Sequence, residues 1–339
     1  MEIELYDTTL RDGAQQEGIS LSVEDKLRIA HRLDELGVHY IEGGWPGSNP
    51  KDEELFQRVR SISFARARMA AFGITRRAGI RADADDNIRA LLAAGTPVVT
   101  LVGKASDLHV RRVLETTLEE NLAMIADSIA FLKGQGRTVF FDAEHLFDGF
   151  KANPEYTLQC LRVAEEAGAD RLVLCDTNGG ALPGEIGGLV ARVSREMKTP
   201  LGIHCHNDAD MAVANTLTAV TSGAVQVQGT INGYGERCGN ANLLSVIANL
   251  KLKMGIPCVT DEQLASLTEV SHYVSEIVNI PPNSLQPYVG ASAFSHKGGL
   301  HAAAVTKIED SYQHILPNQV GNTKRVVISE LSGRGNIQY

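Results

Sequence analysis

Eight short runs rich in apolar and β-branched residues recur along this chain, at 3–9, 40–45, 68–73, 98–103, 138–143, 171–177, 200–207 and 224–231. Amphipathic patterns with helical spacing, such as 23–36 and 154–167, separate most of them. This alternation limits the fold more than any other feature. Strands joined by helices pair in parallel, and eight such units in a row favour an α/β fold closed into a (β/α)8 TIM barrel. The alternative is an open doubly wound sheet. No G-x-G-x-x-G follows the first run, which argues against a dinucleotide-binding version of it. Three helical patterns stop at glycine, at Gly37, Gly95 and Gly168, each just before the next strand.

The alternation fades near residue 256. A helix is expected over 261–278, Pro281-Pro282 breaks the chain, and 287–299 is rich in small residues. The expected division is a barrel at 1–256 and a linker with a small helical subdomain at 257–339. The chain has 339 residues and 43% hydrophobic content, enough for a barrel of about 250 residues plus a remainder.

The net charge of −9 disfavours nucleic acid or an anionic membrane as the main partner, though not a small anionic substrate. No apolar run reaches the roughly 18 residues of a membrane span. Strand-like sequence from residue 3 leaves no room for a signal peptide. The five cysteines, 160, 175, 205, 238 and 258, show no C-x-x-C spacing, so reduced thiols and a cytoplasmic location are expected.

In a parallel barrel, the chemistry gathers at the C-terminal strand ends, and the unusual polar clusters fall there. His204-Cys205-His206 closes the seventh run. Strand side chains alternate with period two, so both imidazoles face one way and Cys205 turns away into packing. Asp12, at the end of the first run, supplies a carboxylate, and Asn240, after the eighth, is a candidate fourth ligand. Two nitrogens with oxygens suit Mn2+, Zn2+ or Co2+. Arg11 beside Asp12 is either a salt bridge or a group that stabilises an oxyanion. Thr177 either binds a carboxylate or caps a helix. Glu144 either orients Arg11 or a water, or is a surface acid, and His145 reads as structural. Met69 and Phe72 read as core or pocket wall. In the tail, His296 and His301 suit general-base work near neutral pH, or are solvated loop histidines.

Four segments together carry a resemblance. They are Asp7-Thr8-Thr9-Leu10-Arg11-Asp12-Gly13, His204-x-His206-Asn207-Asp208, Gly233-x-Gly235-Glu236-Arg237-x-Gly239-Asn240, and Phe294-x-His296-x-Gly298-Gly299-x-His301. The chain resembles the Claisen-condensing family of 2-isopropylmalate, homocitrate and citramalate synthases, over nearly its whole length. Residues 42–50 and 142–149 look like the branch that forms citramalate.

The resemblance implies a TIM barrel acting on acetyl-CoA and a 2-oxo acid, pyruvate in that branch, in isoleucine biosynthesis. It implies a divalent metal on Asp12, His204, His206 and Asn240, with Mn2+ or Zn2+ favoured and Mg2+ or Co2+ also compatible. It gives Arg11 the enolate and alkoxide, supported by Glu144, and Thr177 the substrate carboxylate. His301, assisted by Tyr312, takes part in proton removal from the acetyl methyl. It further implies a homodimer whose C-terminal subdomain crosses to the partner. The branch normally continues into an amino-acid-binding regulatory domain, which is not expected within 1–339. A larger 2-oxo acid, as in 2-isopropylmalate or homocitrate synthase, is the first alternative. A metal-dependent 4-hydroxy-2-oxo acid aldolase, sharing the first-strand motif and the H-x-H, is the second.

Overall fold

The computed structural model describes residues 2–296 and 311–326, with residues 304 and 308 between them. Eight parallel strands close into a barrel in sequence order: β1 Glu4–Asp7, β2 Tyr40–Gly44, β3 Arg68–Ile74, β4 Val98–Lys104, β5 Thr138–Glu144, β6 Arg171–Asp176, β7 Leu201–Cys205 and β8 Ala224–Gly229. Closure comes from β1 lying between β2 and β8, with Tyr6 opposite both Tyr40 and Gln228. Each expected run holds one strand, but most strands are shorter than their runs. In β1, β6, β7 and β8 the polar residues at the C-terminal end leave the ladder and build the turns of the mouth.

The helices form as their patterns dictate. Val23–Leu36 begins with a capping box between Ser22 and Asp25 and turns Leu27, Ala30, Leu33 and Leu36 toward the strands. Pro154–Glu166 starts with proline in its first turn and Asn153 as its cap. The helix expected over 261–278 is two helices, Asp261–Ala265 and Leu267–Ile277, because the chain turns at Ser266. After Ile277 the described residues contain no further long helix. A two-residue parallel pair, Ser295–His296 with Arg325–Val326, and a short 3-10 turn at Pro317–Val320 hold this part together.

Two separate cores result. The main one lies between the strands and the outer helices, and Cys205 is buried in it as expected. A smaller one fills the barrel with Tyr6, Tyr40, Ala70, Val98 and Phe140. Period two then sets the layers of the interior. Below this plug, Arg171 pairs with Glu4 at 2.8 Å. Above it, the next inward positions are Thr8, Glu42, Asp142, His204 and Gln228. All five are buried and polar, and they form the floor of the mouth.

Candidate metal and substrate site

Asp12, His204 and His206 come together at the mouth as the motifs suggest. One ligand atom from each lies within 4.8 Å of the others. The Asp12 Oδ2 to Nε2 distances are 3.4 Å for His204 and 3.8 Å for His206. All three side chains are buried. Burial alone would favour protonated Asp12, but Arg11 and the two histidines overcome it and hold this carboxyl well below its usual range. Burial and the neighbouring His204 push His206 down to about 4, so its ring is neutral at pH 7. An ionised carboxylate beside a neutral imidazole is the donor set a divalent ion requires.

Asn240 reaches the same place by a different route. It bridges His206 across the loop that follows β8. Its Nδ2 donates to the Tyr234 carbonyl at 3.1 Å, while its buried Oδ1 has no partner. An orphaned buried acceptor beside the cluster fits a ligand position. The loop needs its glycines to place that oxygen. A Cβ on Gly239, at φ +87°, would lie 2.0 Å from the Gly233 carbonyl oxygen, and one on Gly235, at φ +155°, 2.2 Å from Asn240 Nδ2. Arg237 braces the loop: its Nε and Nη2 donate to the two Asp208 oxygens at 2.8 and 2.9 Å, and Nη2 also to the Thr177 carbonyl at 2.8 Å. The H-x-H-N-D and G-E-R-x-G-N motifs are therefore one interlocked unit.

Arg11 is held over this cluster. Its Nη1 lies 3.5 Å from Asp12, its Nε donates to Glu42 Oε1 at 2.5 Å, and its guanidinium stacks 3.8 Å above the Phe72 ring. Burial opposes its charge, yet Glu42 and Asp12 hold the guanidinium above its ordinary range. Glu42 also accepts from the Tyr6 hydroxyl and, at 2.6 Å, from Thr8 Oγ1. The support for Arg11 expected from Glu144 thus comes from Glu42 in this structure. Glu144 pairs with Lys104 and lies 3.8 Å from His145 Nε2.

Thr177 does not cap the following helix, whose N-cap is Leu182. Its Oγ1 accepts from the His145 backbone N–H at 2.9 Å, which leaves its own proton to give to another group. His145 holds a left-handed conformation, φ +57°, and stacks on His109 with centroids 3.7 Å apart. Phe72 is pocket wall, as one of its readings has it: it lies beneath Arg11 and meets Trp45 edge-on.

His301 lies outside the described residues. Tyr312 is 52% exposed. Its segment is tied down where Lys253 Nζ donates to the His314 carbonyl at 2.6 Å, just past the helix Leu243–Leu252. That helix starts at the mouth, and ten residues take it about 15 Å away.

Sequence reasoning missed Glu42, Asp142 and Gln228 as members of the site. A signal was present, since each is a polar residue at an inward, period-two position near the C-terminal end of its strand. Gln228 also stands directly opposite His204 in the β7–β8 register.

Residues 2–274 match the HMGL-like family, and 288–339 match the homocitrate synthase post-HMGL domain-like family. The chain is 54% identical to an (R)-citramalate synthase of Geobacter sulfurreducens over 99% of this chain and 63% of that protein. It is 53% identical to one of Aquifex aeolicus over 100% of this chain and 64% of that protein. With a homocitrate synthase of Methanopyrus kandleri it shares 39% identity, covering 98% and 80%. The chain thus spans less than two thirds of the citramalate synthases it resembles. The HMG-CoA lyase of Bacillus subtilis superposes with a TM-score of 0.69 at 20% identity, over 83% of this chain and 95% of that one, which is agreement in fold. With a closed eight-stranded barrel, a buried Asp-His-His cluster at its mouth and a family match over most of its length, the chain belongs to the HMGL-like family.

Proposed function

We propose that this chain is the catalytic part of a citramalate synthase, which joins acetyl-CoA to pyruvate and releases CoA. The observation that carries the chemistry is the buried cluster of ionised Asp12 and neutral His206 with His204, directly under Arg11. The choice of pyruvate rests on the five (R)-citramalate synthases that share 52–55% identity with nearly the whole chain.

Asp12, His204, His206 and Asn240 hold a divalent ion in this reading, Mn2+ or Zn2+ by donor type. When bound, the ion supplies Lewis acidity toward the keto group of the 2-oxo acid. Thr177 gives its hydroxyl proton to the substrate carboxylate. Arg11, fixed by Glu42 and Phe72, needs no reorganisation to meet negative charge on the acetyl enolate and then on the new alkoxide. A base takes one proton from the acetyl methyl, and the resulting carbon bonds to the keto carbon of pyruvate. The alkoxide takes a proton, and water then splits the thioester into citramalate and CoA. Glu144, paired with Lys104 at the rim, is positioned to orient a water or the incoming thioester.

The base is assigned to His301, with Tyr312 assisting. In the family resemblance both act on the partner's site, in a homodimer. No helix among the described residues is long and apolar enough to cross a membrane.

The test is thiol release from acetyl-CoA with Mn2+ and pyruvate, 2-oxobutyrate or 2-oxoisovalerate, with the product weighed by mass spectrometry. One methylene in an apolar pocket is worth roughly 10–200-fold, so kcat/KM should fall in that order. Preference for 2-oxoisovalerate would make it an isopropylmalate synthase. Release of pyruvate from a 4-hydroxy-2-oxo acid without thiol chemistry would make it an aldolase.

A further inference from the structure

We infer that Gln228, locked by Asp142, is a positioning residue that fixes the protonation pattern of His204 and makes it the anchoring ligand of the metal cluster. The inference rests on the metal reading of Asp12, His204 and His206. It concerns two residues to which no chemical role was assigned from the sequence, although Asp142 opens the 142–149 segment of the resemblance.

The three groups form a buried line. His204 Nδ1 lies 3.0 Å from Gln228 Oε1, and Gln228 Nε2 lies 3.4 Å from Asp142 Oδ1. Asp142, Gln228 and His204 are 3%, 1% and 5% exposed, so solvent does not compete for these bonds. An amide can present either its oxygen or its nitrogen to a ring. Burial pushes the Asp142 carboxyl up to about 7; in its ionised form it only accepts hydrogen bonds, so it draws the NH2 end toward itself. That turns Oε1 to His204, and an oxygen at Nδ1 demands a proton there. The lone pair of a neutral ring then resides on Nε2, the nitrogen that faces Asp12 at 3.4 Å and His206 Nε2 at 3.3 Å. Backbone register holds the line in place: His204 pairs with Gln228 between β7 and β8.

The two histidines are therefore not equivalent. The outer nitrogen of His206, Nδ1, is buried with no hydrogen-bond partner, so no group on that side orients the ring. His204 enters the site already oriented, whereas His206 is ordered by the ion. Other charged groups facing this line are Glu42 and Arg11. Neither hydrogen-bonds Gln228, so the amide takes its direction from Asp142.

Two measurements test this. Mn2+ and Zn2+ affinities, read by chelator competition, should weaken about 10- to 100-fold in Gln228→Leu, the usual cost of losing such a support. They should stay near wild type in Gln228→Glu, which still offers His204 an acceptor. Far-UV circular dichroism should remain native in both. Unchanged affinity in a folded Gln228→Leu overturns the proposal. Should that variant not fold, 15N-histidine NMR of the metal-free wild type, at a pH that leaves the His204 ring neutral, decides: a proton on Nδ1 alone supports the inference and a proton on Nε2 alone overturns it. Wild-type protein that takes up neither ion overturns the metal reading, while the NMR result still decides the tautomer claim by itself.

Discussion

Arg11 Nε and Glu42 Oε1 meet at 2.5 Å on the floor of the barrel mouth, where Glu42 is completely buried and Arg11 nearly so. Removing Glu42 leaves the Arg11 guanidinium with Asp12, 3.5 Å away, as its remaining close counter-charge. Glu42→Gln should lower the free energy of unfolding by about 3 kcal/mol, in the range seen for breaking a buried ion pair from one side. Arg11→Lys keeps the charge but loses the fork and the stack on Phe72. It should cut kcat about 100-fold, the scale of losing one oxyanion donor, with a smaller effect on KM for the 2-oxo acid. Urea melts and steady-state thiol release read the two effects separately. Equal changes in kcat and stability would mean that Arg11 is only a structural counter-ion.

Folding should weaken as pH rises through neutrality, and Asp7 is one cause. Burial pushes its carboxyl up to about 7, only partly offset by hydrogen bonds from Thr9. The folded state thus holds a proton that the unfolded chain releases near pH 4. The stability this group contributes is complete below pH 4 and is lost as pH climbs to about 7. In Asp7→Asn, which cannot ionise, the slope of unfolding free energy between pH 4 and 7 should be shallower than in wild type, by on the order of a few kcal/mol across the window. Parallel curves for the two proteins would place the proton elsewhere.

Gly239 sets the position of Asn240. Alanine there would force its Cβ to within 2.0 Å of the Gly233 oxygen or push the loop aside. Gly239→Ala should therefore reduce metal affinity and thiol release by roughly 10-fold or more, as losses of ligand support do, with the melting temperature shifted by only a few degrees. A variant that binds the ion normally would remove Asn240 from the ligand set.

The proposed trans arrangement predicts rescue. His204→Ala lacks its own metal site but has an intact tail, and His301→Ala is the reverse. Once subunits have exchanged, the mixture should regain activity from the one intact site in each heterodimer. Confirmed exchange without rescue would place the base on the same chain as the metal.

Much of this was legible because the signals were local. The helix at Val23–Leu36 has a capping box, a clean apolar face and a glycine stop, and it forms where its pattern ends. Asp12, His204 and His206 stand in compact motifs, so period two and the barrel's geometry suffice to join them. Glu42 and Gln228 were overlooked because their meaning is non-local. Glu42 matters only when β1 and β2 bring it to Arg11, and Gln228 only when β8 lies beside β7. The break at Ser266 has no proline or glycine to announce it, and the apolar spacing runs on through both helices. Glu144 was given to Arg11 by family likeness, but here its carboxylate is taken by Lys104, which lies directly opposite it in the β4–β5 register.

The closure of β1 against β8 also orders events in time. Asp12 leaves the ribosome about two hundred residues before His206. Until Ala224–Gly229 is made, one edge of β1 has no strand to bind. The residues that bring β1 into the closed ring are therefore made last among the barrel strands, and the mouth that holds Asp12, His204 and His206 is complete only once β8 pairs with β1.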